Sequence, residues 1–169
     1  MNNILLNGMD SDRNRDVKKK LLTSEELKKF LPEFFAQDGG APFPLTVTGG
    51  SMAPFLADGR DTALLTPFDG KVSRGDVLLF DCGGRLLLHR VCAVKNGELW
   101  FMGDAHTYAE GPIKTSAVLA RCDSVIRDGR PMRKSDAMWR FYEHIWAQKP
   151  ALRKHLLNAA GLLGKKGDR

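Results

Sequence analysis

The stretch RGDVLLFDCGGRLLLHRVCAVKNGELWFMGD, residues 74–104, contains the clearest strand and turn signals of this chain. Its apolar runs are short and are separated by Gly-containing segments, a pattern that is typical of β-strands. The Asn-Gly pair at 96–97 is a strong signal for a two-residue hairpin turn, and the segment CGGR at 82–85 offers a second turn. We therefore predict three consecutive antiparallel strands here.

Similar apolar runs lie on both sides of this stretch. They are LTVT at 45–48, DTALLT at 61–66 and AVLARCDSVI at 117–126. Because no helical pattern alternates with these runs, a parallel sheet is not indicated. The sequence predicts a mainly β fold, a coiled antiparallel sheet or a partly open barrel.

Helical patterns flank the predicted sheet. Apolar residues recur at helical spacing from Thr23 to Gln37, and Thr23 with Glu26 forms a capping box at the start. A second helical region is predicted from Asp136 to about Leu163, divided by Pro150. These patterns divide the chain into an N-terminal segment with an amphipathic helix (1–40), a β domain (41–130) and a basic helical tail (131–169).

The net charge of +6 comes from the tail. Residues 131–169 contain nine Lys and Arg against three Asp and Glu, whereas residues 1–40 and 41–130 are each balanced. A neutral body disfavours nucleic acid as a partner. Trp, Tyr and Phe beside basic residues suit an anionic membrane surface. The alternative is that the aromatic face of the tail packs on the β domain or on a partner protein.

The cysteines and the N-terminus bear on location. Three cysteines without a C-x-x-C pair indicate neither a disulfide framework nor a zinc knuckle. The first residues lack the apolar core of a secretory signal, and no run approaches the length of a spanning helix. We expect a cytoplasmic protein, with peripheral contact to the inner face of the membrane as an option.

Two residue types in the predicted sheet could form a catalytic pair. Ser51 follows two glycines in GGSMAP (49–54), which leave its hydroxyl uncrowded. His89 lies within the apolar strand LLLHRV, and neutral imidazole is a competent base for a serine near pH 7. The simpler alternatives are a common turn for Ser51 and a structural histidine for His89.

Two acids follow one hairpin later. Asp104 lies in FMGDAH and Glu110 precedes a Gly-Pro pair. A carboxylate bound to the far nitrogen of His89 would fix its tautomer and stabilise the imidazolium. Taken singly, Asp104 suits a Gly-Asp turn and Glu110 a solvated loop. Which of the two orients His89 stays open at this point.

In this order, the motifs VTGGSMAPFL, RDTALL, VSRGDVLLF, LLLHRV and FMGDAH resemble those of the signal peptidase I superfamily, which includes the LexA-like repressor domains. They span residues 45 to about 126, and the resemblance implies a coiled antiparallel β architecture. His89 takes the place where typical bacterial members have Lys, which is similar to the endoplasmic-reticulum and archaeal type. Glu110 stands where that type usually has Asp.

The resemblance implies a serine endopeptidase that cleaves a precursor or leader peptide. Ser51 would be the nucleophile and His89 the general base, supported by Asp104 or Glu110. The oxyanion and substrate loop would comprise Thr48, Gly49, Gly50 and Met52. Gly49 lacks the side-chain hydroxyl that many bacterial relatives use in the oxyanion hole, so Thr48 is a candidate donor beside the Ser51 N–H.

Three alternatives remain from the sequence. The first is an inactive peptide-binding or scaffold module of the same fold, and the second is a self-cleaving LexA-like regulator. The second is disfavoured because residues 1–40 contain no helix-turn-helix. The third is zinc chemistry through His89, His106 and the cysteines, which is disfavoured because no short ligand spacing appears. No cofactor and no metal are therefore expected.

Overall fold

One antiparallel sheet forms the body of the molecule. In the computed structural model, the described residues are 4–6, 20–147, 150–159 and 161. The sheet has ten strands in the order β2-β1-β3-β4-β9-β5-β6-β7-β8, with β10 paired to β9. The strands are β1 (Ile4–Leu6), β2 (Lys20–Leu22), β3 (Phe43–Thr46), β4 (Thr62–Pro67), β5 (Val77–Cys82), β6 (Arg85–Lys95), β7 (Glu98–Met102), β8 (Glu110–Lys114), β9 (Val118–Arg127) and β10 (Arg130–Arg133).

The prediction of a mainly β antiparallel fold with flanking helices is confirmed. Both hairpin turns form as predicted, with left-handed backbone at Gly83 and Gly84 and at Asn96 and Gly97. The sheet is open, because its end strands β2 and β8 do not pair with each other in the described part of the chain.

The strand boundaries require corrections. The strand predicted at 45–48 begins two residues earlier and ends at Thr46, because Val47 instead bonds to the loop before β4. Strands β1, β2, β8 and β10 were not predicted. They are short, and β8 and β10 each contain a proline, which is tolerated at a sheet edge but weakens the sequence signal.

Alternation along the central strand creates two apolar clusters. In β5, Val77 and Leu79 face the larger cluster, whereas Leu78 and Phe80 face the smaller one. All four side chains are buried, so β5 lies in the interior of the protein. The smaller cluster includes the stacked rings of Phe80 and Phe101, whose centroids are 3.8 Å apart.

Helix α1 (Ser24–Gln37) covers one face of the sheet. It begins with the predicted capping box, in which Thr23 and Glu26 bond reciprocally. Leu27 and Leu31 are fully buried in the larger cluster. This helix therefore forms as the sequence predicts, and burial of its apolar side attaches it to the sheet.

The C-terminal segment is helical in three pieces. These are α2 (Ala137–Phe141), a π-helical turn (Tyr142–Trp146) and α3 (Pro150–Ala159), so Pro150 begins a helix as predicted. The predicted end of this region, beyond Gly161, lies outside the described residues.

The aromatic face of the tail packs on the sheet. Trp139, Tyr142 and Trp146 are buried in the larger cluster, and the Trp139 and Tyr142 rings contact Phe55. Among the described residues of the tail, the exposed large apolar side chains are Met138, Phe141, Ile145 and Leu156. A membrane contact of the tail stays a prediction, and this exposed set offers one way to test it.

Within the described part of the chain, none of the helices has both the length and the apolar character that crossing a membrane requires.

Candidate active site

Ser51 lies in the loop between β3 and β4. The loop is held from within: the Gly49 N–H donates to the Asp58 carboxylate over 3.0 Å, and the Ala53 N–H donates to the Gly50 carbonyl over 3.0 Å. Gly49 adopts a left-handed backbone conformation, which explains the glycine at this turn. The Ser51 side chain is thus presented by a loop with fixed internal bonds.

His89 is the closest functional partner of Ser51. It lies in the middle of β6 and is only 2% exposed. Its Nε2 is 3.0 Å from the Ser51 Oγ, within hydrogen-bonding distance. Strand pairing places His89 opposite Leu78 of β5, so its backbone position is fixed by the centre of the sheet. The structure therefore brings together the two residues that the sequence singled out.

Glu110 completes a chain of three groups. At the start of β8, its Oε2 lies 3.2 Å from the Nδ1 of His89. Burial on its own would raise the pKa of Glu110, but the hydrogen bond with His89 and the charges of His89 and His106 outweigh it. The pKa of Glu110 consequently lies below its usual range. An ionised Glu110 favours the tautomer in which Nδ1 carries the proton and Nε2 accepts from Ser51.

Asp104 has a different partner. Its carboxylate is fully buried and forms a two-point ion pair with Arg90, with Nη2 to Oδ2 at 2.7 Å and Nε to Oδ1 at 2.9 Å. Arg90 directly follows His89, and successive side chains of a strand point to opposite faces. Of the two acids that the sequence left open, Glu110 contacts His89 and Asp104 is placed on the far side of β6.

Arg90 links several loops around the site. Its Nη1 donates to the Gly75 carbonyl over 2.9 Å, and its guanidinium lies 4.6 Å from the centre of the Phe55 ring. Trp146 of the tail donates to the Asp104 carbonyl over 3.1 Å. The Asp104 loop is therefore attached to the sheet and to the tail at once.

Arg153 of α3 is a second buried cation beside this loop. It is 3% exposed, and its Nη1 lies 3.3 Å from the carbonyls of both Gly103 and His106. Burial lowers the pKa of Arg153. The packing of α3 on the sheet, rather than any local sequence signal, reveals the role of Arg153.

The Ser51 loop and the loop before Glu110 touch directly. The Ala105 N–H donates to the Ser51 carbonyl over 2.9 Å. A Cβ atom at Gly103 would come within 2.5 Å of the same carbonyl oxygen. Only glycine at 103 allows this approach, which accounts for the glycine in FMGDAH.

His106 belongs to the site, although the sequence weighed it only as a zinc ligand. Its ring lies edge-on to His89 with centroids 5.4 Å apart, and stacks on Tyr108 at 4.7 Å. Its Nδ1 is buried without a hydrogen-bond partner and is 3.8 Å from Glu110 Oε1. Burial lowers the pKa of His106, and the charge of His89 lowers it further.

A groove of about 300 Å³ opens over the Ser51 hydroxyl. One side is formed by residues 45–52 and the other by residues 85–89 of β6. Residues 85–89 pair with β5 on one side only, because the pairing of β6 with β7 begins at Arg90. Among the described strands, this part of β6 therefore has a free edge.

The four residues predicted for the oxyanion and substrate loop all line this groove. Thr48 and Gly50 are exposed there, whereas the Met52 side chain is buried in the larger cluster. The Gly49 N–H is already used by Asp58. Thr48 and the Ser51 N–H stay the predicted donors for an oxyanion.

Comparisons of the chain with models of protein families, with curated proteins and with solved structures give no match.

Proposed function

We propose that this protein is a serine endopeptidase that hydrolyses a peptide bond in a precursor or leader peptide. The observation that carries the proposal is the hydrogen-bonded series from Ser51 Oγ through His89 to Glu110. Nucleophile, base and orienting acid in this relation are the arrangement that acyl transfer requires. The sequence motifs resemble those of the signal peptidase I superfamily, and the same proposal includes that the chain has a fold of that type.

The chemistry proceeds in two stages. His89 Nε2 takes the proton of Ser51 as Oγ attacks the scissile carbonyl, and Glu110 stabilises the imidazolium through Nδ1. The imidazolium then protonates the departing amine, which leaves an acyl ester on Ser51. Water, deprotonated by His89, hydrolyses the ester and regenerates the serine.

The groove favours a polypeptide substrate. The free edge of β6 at residues 85–89 offers backbone groups to an extended chain, as in recognition by strand addition. The apolar side chains of Leu79, Leu86 and Leu88 contribute to the lining. Because Arg85 also lines the groove, these features support an extended, mainly apolar segment around the scissile bond.

A serine-directed fluorophosphonate tests the proposal without knowledge of the substrate. We expect one adduct per chain, located at Ser51 by peptide mass mapping. The adduct should be absent in Ser51→Ala, and its formation should slow by about 10³-fold or more in His89→Ala. Ser116→Ala, which changes an exposed serine of the short 3₁₀ helix Thr115–Ala117, is the matched control and should react like the wild type.

The same experiment separates the enzyme from an inactive binding module of the same fold. A module would bind peptides in the groove without labelling at Ser51. Equal labelling of the wild type and His89→Ala would also contradict the proposal. For a co-expressed precursor, Ser51→Ala should abolish processing.

A further inference from the structure

We propose that His89, His106 and Glu110 form a binding site for a divalent cation of the zinc class, and that the bound cation switches off Ser51. The ligand atoms of these three residues lie within 4.8 Å of one another. Two histidines and a glutamate are a donor set that holds zinc in proteins. The inhibitory consequence rests on the proposed function, whereas the binding of the cation does not.

The distances are close to those of a coordination site. Ligands about 2.1 Å from a tetrahedral zinc ion are roughly 3.4 Å apart. Glu110 Oε2 is 3.2 Å from His89 Nδ1, and Glu110 Oε1 is 3.8 Å from His106 Nδ1. The three donors, which are separated by at most 4.8 Å, would move closer together to surround one ion.

An unused donor atom supports the site independently. His106 Nδ1 is buried and has no hydrogen-bond partner. A buried polar atom without a partner costs free energy, and coordination to a cation removes that cost. Catalysis by Ser51, His89 and Glu110 leaves this nitrogen without a role.

The site also has suitable charge. Glu110 is a half-buried carboxylate between two imidazoles. Buried Arg153 of the tail lies beside the same loop, and its guanidinium is directed at backbone carbonyls of that loop. One carboxylate together with two imidazoles that bind through their lone pairs gives the site a single negative charge, and this charge attracts a divalent cation.

Coordination would disable His89 as a base. When the cation takes the Nδ1 lone pair of His89, the ring proton must reside on Nε2. That nitrogen then donates to Ser51 Oγ and can no longer accept its proton. The same cation withdraws Glu110 from its contact with His89, so both supports of the nucleophile are lost together.

Isothermal titration calorimetry of Zn²⁺ into full-length Ser51→Ala protein tests binding apart from catalysis. We expect one ion per chain. His106→Ala should weaken the affinity by at least about tenfold, because it removes one ligand. His144→Ala, an exposed histidine of the tail, is the matched control and should bind like the parent. Co²⁺ in place of Zn²⁺ should give the visible spectrum of a tetrahedral site.

Labelling of Ser51 by the fluorophosphonate tests the inhibition in the otherwise unaltered protein. Zn²⁺ should slow the labelling, EDTA should restore it, and His106→Ala should require at least about tenfold more Zn²⁺ for the same slowing. Absence of binding, or equal binding by His106→Ala and its parent, would overturn the site.

Two further outcomes distinguish the proposals. Binding without any slowing in a protein that labels at Ser51 would overturn the inhibition. Activity that requires Zn²⁺ and disappears with EDTA would overturn it as well. A protein that binds Zn²⁺ through His106 but never labels at Ser51 would retain the metal site and reject the peptidase.

Discussion

The guanidinium of Arg153 donates to the Gly103 carbonyl over 3.3 Å and thereby joins the C-terminal helix α3 to the loop that leads to Glu110. The same Nη1 also reaches the His106 carbonyl. Both acceptors lie within the connection between β7 and β8, which carries the acid of the site. The tail therefore supports the active-site loop from outside the sheet.

Replacement of Arg153 should weaken both the fold and the site. In Arg153→Met the carbonyls of Gly103, His106 and Trp146 lose the hydrogen bonds from the guanidinium, and we expect a loss of about 3 kcal/mol in the free energy of unfolding. Urea unfolding measures this loss, and labelling of Ser51 should slow. Lys154→Met, one residue along on the exposed side of α3, is the control. Equal stability of the two variants would argue against the support.

Replacement of Glu110 should mainly lower the activity, whereas replacement of Asp104 should mainly lower the stability of the fold. Glu110→Gln removes the charge beside His89 and should slow labelling of Ser51 by about 10²- to 10⁴-fold with little loss of stability. Asp104→Asn leaves buried Arg90 without its counter-charge and should cost about 3–5 kcal/mol of stability. Thermal unfolding and labelling rates, measured on both variants without added metal, should show opposite rankings. If Asp104→Asn slowed labelling more than Glu110→Gln did, and Glu110→Gln lowered the stability more, Asp104 would be the acid that supports His89.

Asp61 should make the fold sensitive to acid. Burial would raise the pKa of Asp61, but hydrogen bonds from Arg60, Arg127 and the Ala57 N–H lower it to about 2. Because the pKa of Asp61 is lower in the folded protein than in the unfolded chain, where it is 3.8, its ionisation stabilises the fold above pH 3.8. This contribution disappears as the pH falls through 2. Between pH 5 and pH 2, about 2 kcal/mol should be lost.

Comparison with Asp61→Asn isolates this effect. The difference in unfolding free energy between the wild type and Asp61→Asn should shrink by about 2 kcal/mol from pH 5 to pH 2, since other carboxyl groups cancel. Asp128→Asn, in an exposed turn with left-handed backbone, is the control and should show no such change. A constant difference would contradict the assigned pKa.

A contact with anionic membranes can be tested without disturbing the core. Truncation after Arg130 would remove buried Trp139 and Trp146, so loss of binding could reflect unfolding. Met138→Ser combined with Ile145→Ser changes exposed side chains of the tail instead. Sedimentation with phosphatidylglycerol vesicles should show binding by the wild type that falls by about tenfold or more in the double variant.

Val94→Ser, at an exposed apolar position of the β6–β7 hairpin, controls for general hydrophobicity. If the wild type stays in the supernatant, or if Val94→Ser weakens binding as much as the double variant, the tail contact is excluded.

The structural features that the sequence predicted correctly depend on interactions between neighbouring residues. The capping box at Thr23 and the hairpin turns at 82–85 and 96–97 involve neighbouring residues, and all three form as predicted. Ser51 and His89 were recognisable from their residue types and order. Their hydrogen bond, however, joins two separate parts of the sheet and depends on the complete fold.

The remaining features depend on long-range packing. Strand β8 was missed because its sequence EGPIK lacks alternation, and it is this strand that positions Glu110. The sequence did not single out Arg153, because arginine is mostly exposed in proteins, yet the docking of α3 buries it. Asp104 pairs with Arg90, which directly follows His89 in β6. Because successive side chains of a strand point to opposite faces, Arg90 and its partner lie on the other side of β6 from His89.

The absence of a side chain at Gly103 couples the positions of two loops that are distant in the sequence. A larger residue there would displace the Ser51 carbonyl and with it the nucleophile, while also shifting the path to Glu110. A change in the path of one loop therefore requires a matching change in the other. Libraries that aim to alter the specificity of this protein should keep Ser51, Gly103 and Asp104 and should vary Thr48, Gly50, Ala105 and His106 jointly.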